Sequence, residues 1–177
     1  MIKILLAFAF LILSLTSCNQ KPSLEKYFVT SAEDKSFVQI DINPSILNVN
    51  KTQLTKEQQT ALSSFDKMNV LAFKINDKNK AQFETERIKV KEILKDQKYQ
   101  QLMKFGSGKE GASVSFVGED EHISEIILFG NKSDSGFAIV RILGKDMNPS
   151  AIVSMLSILK STNIDLEQLK PLQDLMK

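Results

Sequence analysis

The sequence predicts an α+β fold, a two-layer sandwich in which helices cover one face of a mainly antiparallel sheet. Three observations support this prediction. Apolar periods of two and of 3.6 residues alternate along the chain, strand-like segments follow one another across short turns, and the composition is that of one globular domain. The chain has 177 residues, of which 42% are hydrophobic and 25% are charged. The expected order of elements is β-α-β-α-β-β-β-β-α.

The first two elements are a strand and a helix. Apolar and polar side chains alternate over residues 37–42, which predicts a strand. Its apolar face comprises Val38, Ile40 and Ile42. Thr55 and Gln58 fit a capping box, so we expect a helix to begin there. The apolar stripe of this helix comprises Ala61, Leu62, Phe65 and Met68.

A second strand and the longest helix follow. Residues 70–75 are apolar on both faces, which predicts a strand at the centre of the sheet. A helix is expected from Asn79 to about Lys95, with a stripe of buried apolar side chains. This stripe comprises Phe83, Val90, Ile93 and Leu94. The other face has mixed charge, which we interpret as a face in contact with solvent, and comprises Glu84, Lys89, Lys91, Glu92 and Lys95.

Four more strands are predicted after this helix. Residues 112–117, 123–129 and 137–143 are strand-like, and residues 99–105 fit either a strand or an extension of the helix. Short turns separate these segments, so neighbouring strands must be antiparallel and form a meander. Asn148 and Pro149 then cap an apolar helix. The remaining tail is expected to be an amphipathic helical segment packed on the domain, the alternative being contact with a partner or the membrane.

The first residues predict a targeting segment. Lys3 precedes an apolar run over residues 4–13, which has the length of a signal-peptide core and is short for a membrane span. Leu-Thr-Ser-Cys follows and resembles the bacterial lipobox, in which the cysteine is lipidated and the preceding bond is cleaved. We therefore expect a lipoprotein signal peptide over residues 1–17, cleavage between Ser17 and Cys18, and lipid on Cys18. The alternatives are a plain signal peptide with an incidental cysteine, or an uncleaved anchor.

Lipid on Cys18 predicts a protein anchored in the bacterial envelope. Asn19 favours the outer membrane, with the domain facing the periplasm. Residues 18–35 are expected to form a tether, and residues 36–177 a single domain with a C-terminal helical tail. Four residues of the tether are able to dock onto the domain, namely Leu24, Tyr27, Phe28 and Val29.

Charge and rare residue types exclude several function classes. The chain has 23 basic and 21 acidic residues, and a net charge of +2 gives no support for nucleic-acid binding. The single cysteine is the expected lipidation site and there is one histidine, so no metal set, cofactor or catalytic residue is predicted. Residues 106–111 are rich in glycine but lack the P-loop spacing and precede a strand, so a hairpin turn is expected.

His122 and the acidic residues before it are weak candidates for binding a ligand. These acidic residues are Glu119, Asp120 and Glu121. We interpret the group as an acidic turn with an exposed histidine, because a zinc site would need further His or Cys ligands. The carboxylates could at most hold Ca²⁺, and their spacing differs from that of an EF-hand loop.

Residues 123–129 and 137–147, together with the lipobox at Cys18, resemble the DUF4252 family, a domain of unknown function. The resemblance covers residues 24–160 and consists of apolar strands closed by a Leu-Gly turn. It implies a small envelope protein of Bacteroidetes, often a lipoprotein. The family carries no established activity, so no catalytic residue is transferred.

These observations together predict a non-enzymatic envelope lipoprotein whose periplasm-facing domain binds a protein or another ligand. The membrane is the expected partner through acylated Cys18, and an envelope protein is a second candidate. Two alternatives stay open. One is an envelope enzyme that uses carboxylates or His122, and the other is a regulator of envelope stress that acts through protein contacts.

Overall fold

The computed structural model describes residues 21–43, 54–107, 110–119, 122–150 and 154. Within these ranges the fold is mixed α+β and mostly sheet, as the sequence predicts. The elements are α1 (Leu24–Ser31), β1 (Phe37–Ile42), α2 (Lys56–Ser64), β2 (Phe65–Lys74), α3 (Lys80–Ile93), β3 (Gln100–Ser107), β4 (Glu110–Glu119), β5 (His122–Lys132) and β6 (Gly136–Met147). The predicted signal peptide, the lipobox cysteine and the C-terminal tail lie outside the described residues. Of the helix predicted after Asn148 and Pro149, only residues 149, 150 and 154 are described, and they are helical.

The six strands form one open sheet in the order β1-β2-β6-β5-β4-β3, and every neighbouring pair is antiparallel. Strands β3 to β6 follow one another as hairpins, which confirms the predicted meander. Pairing of β2 with β6 joins the first two strands to this meander. Gly136 begins β6 with φ +119, and a Cβ there would lie 1.9 Å from the carbonyl oxygen of Phe73, so a glycine is needed where the two strands meet.

Each face of the sheet has its own apolar core. The first face carries Leu71, Phe73, Ile127 and Ile139, against which α1 and α3 pack. The second face carries Phe116, Ile126 and Ile142, which form a cluster with Ala61 of α2. The predicted placement of all helices on one face is therefore wrong for α2. The physical reason is that the central strands are apolar on both faces, and each face must be covered.

Residues 24–31 form a helix, although the sequence predicted a tether over residues 18–35. Leu24, Tyr27 and Phe28 are buried in the first core, whereas Val29 is 72% exposed. The backbone N–H of Leu24 donates a hydrogen bond of 3.0 Å to the hydroxyl of Tyr99, at the start of the meander. Three of the four apolar residues that were expected to be able to dock are thus part of the core, and the tether prediction is corrected over this helix.

A partly buried ion network joins α1 to the sheet. Arg141 of β6 is 5% exposed, and its Nε lies 2.5 Å from Oε1 of Glu125 on β5. A second guanidinium nitrogen of Arg141 lies 3.2 Å from Oε1 of Glu25 on α1, and the group stacks 5.3 Å from the ring centroid of Phe28. Burial opposes ionisation of Glu25, but hydrogen bonds from Ser23 and the backbone, with the charge of Arg141, hold its pKa below the usual value of 4.5.

The end of α2 and the start of β2 differ from the sequence prediction. The capping box at Thr55 and Gln58 is confirmed, but α2 ends at Ser64. Phe65 and Met68, expected on the helix stripe, belong to β2 instead and pair with Gly144 and Ile142 of β6. Their spacing fits a helix, yet pairing with a buried neighbouring strand outweighs this local preference. The segment that fitted either a strand or a helix, residues 99–105, contributes to strand β3.

We predict that Leu24→Ala destabilises the domain by about 3 kcal/mol, because a fully buried leucine is replaced by a cavity. Urea unfolding followed by circular dichroism measures the change. The matched control is Val29→Ala on the exposed side of α1, for which a change within about 0.5 kcal/mol is expected. Equal, small effects of both variants would show that α1 does not contribute to the core.

Candidate functional site

A cleft of about 240 Å³ lies on the first face of the sheet, between the end of α3 and strands β3 to β5. Its most polar residues come from four elements. We call it the lysine cleft and define it by Lys91, Lys95, Lys104, Ser113, Ser115 and Asn131. The cleft is the strongest candidate for a binding site among the described residues, because it combines concave shape with converging polar groups.

The end of α3 and the register of the strands bring these side chains together. Lys91 lies in the last turn of α3, and Lys95 lies in the turn that directly follows the end of this helix. Lys104 lies directly opposite Ser113 across the β3–β4 pair, and Ser113 and Ser115 share a face because side chains alternate along a strand. Ser115 is 4% exposed and Asn131 is 9% exposed, so polar groups form the floor of the cleft.

Positive charge is concentrated in the cleft. Burial lowers the pKa of Lys91, the neighbouring charges of Arg87 and Lys104 lower it further, and Glu84 partly opposes them. Lys95 forms an ion pair with Glu92, with 2.6 Å between Nζ and Oε1.

One acidic residue, Glu110, also lines the cleft. Its Oε1 accepts a hydrogen bond of 2.6 Å from the hydroxyl of Ser133, outside the lining residues. Three lysines against one glutamate give the lining a formal charge of 3 − 1 = +2. Ammonium groups and hydroxyls are donors that suit a carboxylate or phosphate, so the cleft is able to hold an anion.

The weak ligand candidates do not form a comparable site. His122 is exposed, and its Nδ1 lies 2.7 Å from Oδ1 of Asp146, also exposed. Glu119 pairs in register with His122 at the end of the β4–β5 hairpin, whereas Asp120 and Glu121 lie outside the described residues. No group of three His, Cys, Asp or Glu side chains that could hold a metal ion occurs in the part of the chain that the structure describes.

The ends of the glycine-rich segment at residues 106–111 belong to two antiparallel strands, which agrees with the expected hairpin. Ser107 of β3 pairs with Glu110 of β4, and residues 108 and 109 lie outside the described residues. A P-loop instead leads into a helix, whose N-terminus binds the phosphate. The predicted cleavage and lipidation residues, Ser17 and Cys18, lie outside the described residues.

Comparison with known proteins identifies a family. The family model of the domain of unknown function DUF4252 matches residues 27–155, which is most of the chain. The chain belongs to the DUF4252 family. The matched part of this DUF4252 chain begins within α1 and includes all six strands, so it contains the whole lysine cleft. No curated protein and no solved structure matches the chain.

Among the helices that the structure describes, none is both long enough and apolar enough to cross a membrane.

The sequence did not indicate the lysine cleft. The pattern of Lys91 and Lys95 predicts the solvated face of a helix, and Lys104 lies in the segment that fits either a strand or a helix. One signal was available in the sequence. Lys91 and Lys95 are four residues apart, and Lys104 follows in a segment where it alternates with the apolar Met103 and Phe105. That signal becomes informative only when β3 is known to turn back beside the end of α3.

We predict that Lys104→Gln raises the pKa of Lys91, because a nearby like charge is removed. A pH titration followed by NMR of the lysine side chains measures the pKa. The control is Lys67→Gln, which removes the same charge from β2, on the other side of three intervening strands. An unchanged pKa of Lys91 in Lys104→Gln would contradict the proximity of the two ammonium groups.

Proposed function

We propose that this chain is a lipid-anchored protein of the bacterial envelope whose domain binds an anionic ligand in the lysine cleft without catalysing a reaction. The observation that supports this proposal is the lining of the cleft. Three lysines line the cleft together with hydroxyl and amide groups, beside the apolar Leu94, Phe105 and Phe129. The polar residues are donors toward an anion rather than an acid–base pair with a nucleophile. The ligand would be held by charge and hydrogen bonds.

The anchoring part of the proposal rests on the sequence. The apolar run over residues 4–13, followed by the lipobox ending at Cys18, has the order of a lipoprotein signal peptide. The resemblance to envelope proteins of Bacteroidetes favours the same location. We propose the outer membrane, with the domain facing the periplasm, because Asn19 and not an aspartate follows the lipidated position.

The exposed pair of His122 and Asp146 gives little support to the hypothesis that this chain is an enzyme. The side chains are 74% and 77% exposed, so water surrounds both groups. A general base gains from an enclosed site, where its pKa is tuned and the substrate is held against it. A small cavity beside Asp146 is lined by residues of α2 and of the segment after β6, and His122 is not among its lining residues.

We predict that Cys18→Ala abolishes incorporation of radiolabelled palmitate and releases the protein from the membrane fraction, because the acylated thiol is removed. Labelling of cells that express each form, followed by immunoprecipitation, measures incorporation. His122→Ala serves as the control and should label like the unchanged chain. Labelling of the Cys18→Ala protein, or its absence in the unchanged chain, would contradict the anchor.

We predict that citrate and inorganic phosphate bind in the lysine cleft. Backbone NMR shifts on titration should change most for Lys91, Lys104, Ser113 and Ser115. The double variant Lys91→Gln with Lys104→Gln should weaken binding about tenfold or more, because two charged hydrogen-bond donors are lost. Lys67→Gln should bind like the unchanged chain. Shift changes spread over all surface lysines would show that only diffuse charge attracts the anions.

A further inference from the structure

Strand β3 forms one edge of the sheet and lies beside the lysine cleft. Among the strands that the structure describes, it has a single neighbour, β4. Residues 101–106 are all exposed. An edge strand presents a row of backbone N–H and C=O groups to which another extended segment can add.

The two faces of this edge differ in chemistry. Met103 and Phe105 lie on the second face, opposite Val114 and Ala112 of β4, and are 43% and 58% exposed. Lys104 lies between them in sequence and therefore on the first face, where it lines the lysine cleft with Lys91. The edge is thus apolar on one side and positively charged on the other.

We propose that β3 binds an extended segment of a partner protein in which acidic and apolar side chains alternate. The segment adds to the sheet as a seventh strand, with its acidic side chains toward the lysine cleft and its apolar side chains against Met103 and Phe105. This inference rests on the proposed function, since it names the source of the anionic groups that the cleft takes.

Charge favours an acidic segment over a second copy of this chain. Antiparallel pairing of two β3 strands about a two-fold axis keeps the same face of both sheets on one side. The two lysine clefts would then lie side by side, and their like charges would repel. An acidic strand instead places carboxylates beside Lys104, where opposite charges on neighbouring strands stabilise the pairing.

The test uses the full-length chain in an uncharged maltoside detergent and three fluorescein-labelled peptides of nine residues. In the first, valine and glutamate alternate. In the second, the same residues are arranged in two blocks, which removes the alternation. In the third, lysine replaces glutamate. Fluorescence anisotropy should show that the alternating acidic peptide binds at least tenfold more tightly than either of the others.

Two variants of exposed residues test the two faces separately. Met103→Ser, at a residue that does not line the cleft, should weaken binding of the acidic peptide about fivefold, since an apolar cross-strand contact is lost. Lys104→Glu should shift the ratio of affinities for the acidic and basic peptides about tenfold toward the basic one. Lys67→Glu on β2 carries the same charge change and should leave this ratio unaltered.

The outcomes separate this inference from the proposed function. Equal binding of the alternating and block peptides, with citrate still bound in the cleft, overturns the strand addition and leaves the anion site standing. Failure of the unchanged chain to bind citrate in the cleft overturns the anion site itself. Sedimentation that shows a dimer, converted to a monomer by Met103→Ser, would assign the β3 edge to a second copy and overturn the proposal.

Discussion

Pairing of β2 with β6 is the constraint on which the rest of the fold depends. It runs from Phe65 opposite Gly144 to Lys74 opposite Gly136, and it links the first part of the chain to the meander. Both strands bury side chains on both faces, so each face requires its own cover. Helices α1 and α3 supply that cover on one face and α2 contributes to it on the other. The end of α3 is thereby fixed above the strands that form the lysine cleft.

Periodicity predicted most elements of the sheet, because alternation at a half-buried strand is a strong local signal. Strands β1, β5 and β6 overlap their predicted segments. The boundary of α2 was wrong because Phe65 and Met68 fit a helical stripe together with Ala61, and only the distant β6 strand decides their state. The helix α1 had a visible signal, since Leu24, Tyr27 and Phe28 have helical spacing, but it lay within a stretch interpreted as a tether.

The candidate site was harder to predict than the fold, for a physical reason. A cleft between a helix end and a sheet edge depends on long-range placement, and no motif accompanies it. In the sequence, Lys91 and Lys95 resemble an ordinary solvent-exposed pair near the end of a helix. Only the fold shows that Lys104 lines the same cleft. Burial is the main cause of the lowered pKa of Lys91, and the charges of Arg87 and Lys104 lower it further. His122, the rare residue that attracts notice in the sequence, lies instead in an exposed ion pair.

Docking of α1 has a mechanical consequence for a lipid-anchored domain. Leu24 is fully buried, so only five residues separate the fixed start of α1 from the proposed lipid site at Cys18. Fully extended, this connecting segment spans at most roughly 20 Å, which is less than the width of the domain. The proposed lipid would therefore confine the domain to the layer next to the bilayer, where it would meet partners in two dimensions. Encounter there would depend on surface density and orientation rather than on concentration in bulk solution.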